Sequence, residues 1–129
     1  MTALQISALI LVGIQVCVAM FQLALALGAP MGEYAWGGQN EAVLPKRLRI
    51  ASAVNLVVYA AIGGHYLAQS GILKPLLEPS LNTIANWVLV GFMALGLLMN
   101  GISKSKKERQ MWVPVLLLSL VCSVVVALG

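Results

Sequence analysis

The stretch MTALQISALILVGIQVCVAMFQLALALGAPMG, Met1–Gly32, contains no Asp, Glu, Lys, Arg or His. A bilayer core of about 30 Å takes roughly 20 apolar residues in a helix that rises about 1.5 Å per residue. This run is long enough to cross it. Three more charge-poor runs follow, at Ile50–Leu73, Pro79–Ser103 and Gln110–Gly129, and His65 is their single exception. Backbone N–H and C=O groups left unpaired in hydrocarbon cost several kcal/mol each, and a helix pairs them locally. Even the β-branched run Val124-Val125-Val126 is therefore expected to be helical.

The 129 residues are 60% hydrophobic and 9% charged. A soluble domain carries about 25% charged residues, so this chain lacks the polar surface that water would demand. The composition and spacing predict a single all-α domain. It is a four-transmembrane-helix bundle with helices at about 4–28, 47–70, 82–102 and 111–128. The first helix is read as a span rather than a cleaved leader, because no Lys or Arg precedes it and it exceeds a signal h-region in length.

Orientation follows from the basic residues. Lys46, Arg47 and Arg49 adjoin the first connection, and Lys104, Lys106, Lys107 and Arg109 the third; the second holds only Lys74. Positive residues stay in the cytoplasm, which predicts extracytoplasmic termini. The net charge of +4 then implies contact with anionic headgroups at the cytoplasmic loops, worth about 1 kcal/mol per basic residue. Nucleic acid is not expected, since aromatic interleaving and a soluble basic domain are both missing.

Between the first two spans, Gly28 suits a helix C-cap and Pro30 blocks continuation. Tyr34 and Trp36 suit headgroup depth, and Gly37-Gly38 permits positive φ. The segment is an interfacial connector or a folded loop presenting Glu33 and Gln39. In the second connection Ser80 is a candidate N-cap, and the third reads as a tight polar turn over Ser103–Gln110, with Pro114 in the first turn of the last helix.

Ionisable residues inside a membrane mark function, and no Asp, Glu, Lys or Arg falls near the centre of any span. Neutral polar residues form stripes instead. Gln15 and Gln22 share a face of helix 1, while Ser52, Asn55 and Tyr59 fall within about a quarter turn on helix 2. Asn86 and Asn100 align on helix 3, and helix 4 offers Ser119, Cys122 and Ser123. These faces either hydrogen-bond across helices, aided by Gly63, Gly91 and Gly96, or line a polar cavity. His65 lacks a second ligand at metal spacing and is read as an interfacial hydrogen-bonding group. Cys17 and Cys122 lie far apart in sequence and read as apolar packers. No metal, cofactor or catalytic residue is expected, for want of a nucleophile elbow, paired carboxylates or phosphate loop.

Two motifs together are distinctive: Gly-Ala-Pro-x-Gly-Glu-Tyr from Gly28, and Ser-Lys-Ser-Lys-x-Glu-Arg from Ser103. With Leu44-Pro45 and Trp112 in order, the chain resembles a group of small uncharacterised four-helix bacterial integral membrane proteins. That resemblance implies a bacterial cytoplasmic membrane and transfers no activity or site. Both motifs fall on the predicted cytoplasmic side, which makes Glu33, Trp36, Arg49, Glu108 and Arg109 a candidate cytoplasmic cluster, within which salt bridging would be a structural role. Small multidrug exporters and small fluoride channels share the length, but the membrane Glu of the former and the Gly-Gly-x-x-Gly signature of the latter are missing. The sequence thus favours a non-catalytic membrane module, as a homo-oligomer or a small subunit with a membrane protein partner. The alternative is a passive transporter or channel for a small polar solute.

Overall fold

Four helices carry the chain: α1 (Ala3–Ala26), α2 (Lys46–Gln69), α3 (Pro79–Gly101) and α4 (Lys106–Leu128). The computed structural model describes residues 1–38, 40 and 42–129. Each helix is long and apolar enough to cross a membrane.

The start of α1 is a reciprocal capping box, in which Thr2 Oγ1 accepts from Gln5 N–H and Gln5 Oε1 accepts from Thr2 N–H. Its end matches the C-cap expected from Gly28. Gly28 has φ +95°, its N–H donates to Leu25 O and Ala29 N–H donates to Ala24 O. That pair of bonds is a Schellman motif, which only a residue tolerant of positive φ closes cheaply.

The later helices start earlier than the sequence suggests. Helix α3 begins at Pro79, with Glu78 and not Ser80 in the cap position. Proline is tolerated there because first-turn N–H groups have no intrahelical partner. Helix α4 begins at Lys106, capped by Ser105 Oγ accepting from Glu108 N–H at 3.1 Å. Most of the expected polar turn is therefore helix, and Pro114 sits well inside it, where it removes one ladder bond.

Helix α1 packs along α2 and against α4, and α4 packs against α3. Gly63 admits α1 closely, since a Cβ there would lie 3.5 Å from Gln15 Cβ, and Gly96 does the same for Leu116 at 3.4 Å. Around Gly91 there is open space, so it plays no such part. One apolar cluster joins Leu11, Ile62, Tyr66, Met93 and Val126 in the half of the bundle towards the termini, and a second joins Phe21, Leu25 and Leu44 near the first connection.

Burial runs opposite to that of a water-soluble bundle. Gln15, Gln22, Ser52, Asn86, Ser119 and Ser123 are buried, while Val54, Val57, Val88, Leu98, Leu118 and Val121 face outward. Outward valines and leucines cost nothing in lipid, and inward polar groups help hold such bundles together. The hydroxyls do so less than expected. Ser119 bonds Val115 O and Ser123 bonds Leu120 O, each within its own helix.

Candidate functional site: a cavity on the α2–α3 seam

Consecutive in sequence, α2 and α3 are nevertheless the loosely joined edge of the bundle. At the end carrying the second connection an amide cluster clamps them. Gln69 and Asn82 exchange two bonds of 2.8 Å, Asn86 Nδ2 donates to Gln69 Oε1 at 3.1 Å, and Asn86 Oδ1 lies 2.7 Å from His65 Nε2. His65 is thus hydrogen-bonded, as expected, and its partner is on α3. Further along, Tyr59 and Phe92 meet edge to face at 6.1 Å.

Beyond that contact the seam opens into a cavity of about 680 Å³. Its size falls within the roughly 300–1,000 Å³ of small-molecule sites. Helices α1 and α4 form the floor, α3 supplies a largely apolar wall, and the first connection covers the end towards the basic residues.

Of the seven predicted intramembrane polar residues, Gln15, Gln22, Asn55, Tyr59 and Asn100 line this cavity. Asn100 donates to Gly96 O of its own helix at 2.8 Å. Gln15 is 3% exposed and Gln22 8%, and the Oε1 atom of each is buried with no hydrogen-bond partner. An unmade bond at a buried acceptor costs about 1–3 kcal/mol. The other two predicted residues are used elsewhere: Asn86 in the clamp, and Ser52 as acceptor from Trp36 Nε1 at 3.1 Å.

The first connection is folded. It makes two 3₁₀ turns, Gly32–Tyr34 and Trp36–Gly38, and three successive residues take positive φ: Trp36 at +52°, Gly37 at +81° and Gly38 at +68°. For tryptophan this costs about 1–2 kcal/mol. Four contacts hold it. Trp36 reaches Ser52, Gly37 N–H donates to Glu108 Oε2 at 3.1 Å, Ser105 Oγ donates to Glu33 O at 2.6 Å, and Trp112 Nε1 donates to Tyr34 O at 2.7 Å. Trp112 also stacks edge to face on Phe21 at 4.9 Å. The expectation for Gln39 lies outside the described residues.

The predicted cytoplasmic cluster is brought to one end but pairs differently. Among the described residues the one ion pair is exposed, Lys107 with Glu33. Both arginines instead satisfy backbone carbonyls. Arg49 Nε donates to Ala26 O at 3.1 Å, and Arg109 donates to Ser103 O. Glu108 is 5% exposed, lines the cavity, and takes its bond from a neutral backbone group. Lys104 stands exposed on the rim. Sequence reasoning missed the burial of Glu108, although Ser105 three residues ahead of a glutamate is an N-cap signal that places it in the first turn of a helix.

Comparison with protein-family models, curated proteins and solved structures found no match to this chain.

Proposed function

We propose that the chain is a non-catalytic module of a bacterial cytoplasmic membrane, and that it works by holding an amphipathic membrane component in the α2–α3 cavity. One observation carries this reading. Two glutamines, each with a buried side-chain oxygen that has no partner, belong to the lining of a cavity whose α3 wall is mostly apolar. Such a lining suits a ligand with an apolar body and a few polar atoms. Neither Cys17, Cys122 nor His65 lines the cavity, which favours binding over catalysis.

The seven basic residues at the first and third connections support an orientation with that end in the cytoplasm and both termini outside. The cavity mouth then lies at the level of the inner-leaflet headgroups. An impermeant thiol reagent tests this on cells whose native cysteines are replaced. Lys74→Cys is expected to label at once, and Lys104→Cys only after permeabilisation. The reverse pattern would overturn the orientation.

Passive transport of a small polar solute is the second reading, favoured by the alignment of Gln15, Gln22, Asn55 and Tyr59 along one cavity. Against it, the Gln69–Asn82–Asn86 clamp closes the seam at the far end, so a through-path needs that clamp to part. Gentle purification from native membranes, with the mass of the intact assembly, separates the cases. A lipid that survives washing supports the binding module. A stoichiometric protein partner would make the chain a subunit, and solute flux in liposomes would make it a transporter.

A further inference from the structure

We infer that the cavity selects a phospholipid with a primary ammonium headgroup, the chemistry that phosphatidylethanolamine represents, and that Glu108 is the residue that recognises it. This inference rests on the reading of the cavity as a lipid site.

Among the described residues, Glu108 is the one carboxylate that lines the cavity. Gln15 Oε1 and Gln22 Oε1 have no partner, and among the described residues Glu108 receives one side-chain bond, from the Gly37 amide. A carboxylate offers about four lone-pair sites, so most of its capacity is free. Acceptors call for a donor. An ammonium group has three donors and no acceptor, and the water around it supplies more. A hydroxyl would also donate, but it brings no charge.

Charge decides between the two. Glu108 is 95% buried by its 5% exposure, and a buried carboxylate is costly unless a cation meets it. Its position in the first turn of α4 offsets part of that cost through the helix dipole. Of the basic side chains at this end, Lys107 pairs with Glu33, Arg109 bonds Ser103 O, Arg49 bonds Ala26 O, and Lys104 stands exposed on the cavity rim. Among the described residues, no basic side chain forms an ion pair with the buried Glu108 carboxyl group.

The rest of the lining fits the rest of the molecule. Lys104 on the rim offers a cation to the phosphodiester, while Phe92, Leu95 and Met99 on α3 offer an apolar track to one acyl chain. The open seam leaves the second chain in the bilayer.

Trp36 and Trp112 line the cavity, whereas Trp87 lies on an exposed face of α3, so the test is tryptophan quenching in a Trp87→Phe background. The probes are phosphatidylethanolamine, phosphatidylcholine and phosphatidylglycerol with identical brominated acyl chains, added to the purified full chain in micelles. Phosphatidylethanolamine is expected to quench at roughly tenfold lower mole fraction, the size of one charge-assisted hydrogen bond. Glu108→Gln keeps an oxygen for the Gly37 amide and should erase that preference, while Glu33→Gln should keep it. Should Glu108→Gln fail to fold, N-acetylated phosphatidylethanolamine asks the same question of the unaltered site, and its preference must vanish. Equal quenching by all three lipids would overturn the headgroup inference and leave the lipid cavity standing. No quenching by any of them would overturn both.

Discussion

His65 Nε2 of α2 and Asn86 Oδ1 of α3 lie 2.7 Å apart, and Asn86 passes the connection on to Gln69 through its other amide atom. With the reciprocal Gln69–Asn82 pair, these bonds hold α2 to α3 at one end while the seam stays open at the other. Hydrogen bonds between helices in a bilayer contribute about 0.6–2 kcal/mol each. A double-mutant cycle on Gln69→Ala and Asn82→Ala should return a coupling in that range, read from unfolding in mixed micelles. Strict additivity would mean that the clamp does not hold the seam.

Gln15→Leu and Gln22→Leu should each raise the stability of the purified, delipidated protein by about 1–3 kcal/mol, because each removes a buried oxygen that has no partner. The same changes should weaken ligand binding. Thermal unfolding and lipid retention, measured on the same samples, are expected to move in opposite directions. Loss of stability in both variants would show that the glutamines are satisfied in the folded protein.

Gly37 and Gly38 both have positive φ, at +81° and +68°, but their surroundings differ. A Cβ at Gly37 would meet nothing within 4 Å, whereas one at Gly38 would collide with the Ser105 side chain and lie 2.8 Å from Glu33 O. Gly37→Ala should therefore cost only the backbone term of about 1–2 kcal/mol. Gly38→Ala should also dislodge the first connection from α4. Limited proteolysis over residues 32–38 is expected to accelerate far more in the second variant than in the first.

Ser52→Ala removes the acceptor that Trp36 Nε1 uses at 3.1 Å, and Trp36 holds a φ of +52° partly through that bond. The variant should lose about 0.5–1.5 kcal/mol and shift Trp36 emission to longer wavelength in a Trp87→Phe, Trp112→Phe background. Unchanged emission would locate the anchor of Trp36 elsewhere.

Parts of this site were visible before any coordinates. Helical periodicity puts Gln15 and Gln22 on one face of α1, and Asn55 and Tyr59 on one face of α2; all four line the same cavity. Periodicity says which residues share a face and nothing of what the face meets. Ser52 and Asn86 belong to the same stripes yet are used up by Trp36, Gln69 and His65. Glu108 likewise looks like a loop charge in sequence, and becomes a buried acceptor only because Ser105 starts α4 beneath the folded first connection.

The four apolar helices were determined by sequence alone, because hydrocarbon leaves the backbone no local alternative to a helix and roughly 20 uncharged residues are legible at any position. Caps were partly legible for the same local reason: Gly28 closes α1 through bonds to residues at most five positions away. Only the tertiary structure decided that α2 and α3 part at one end, that the arginines serve carbonyls instead of carboxylates, and that Glu108 is buried with no ion pair among the described residues. Those outcomes depend on competition among partners up to 78 residues apart, as in the bond from Trp112 to Tyr34. No local pattern in the chain encodes which of several equally polar partners comes within reach.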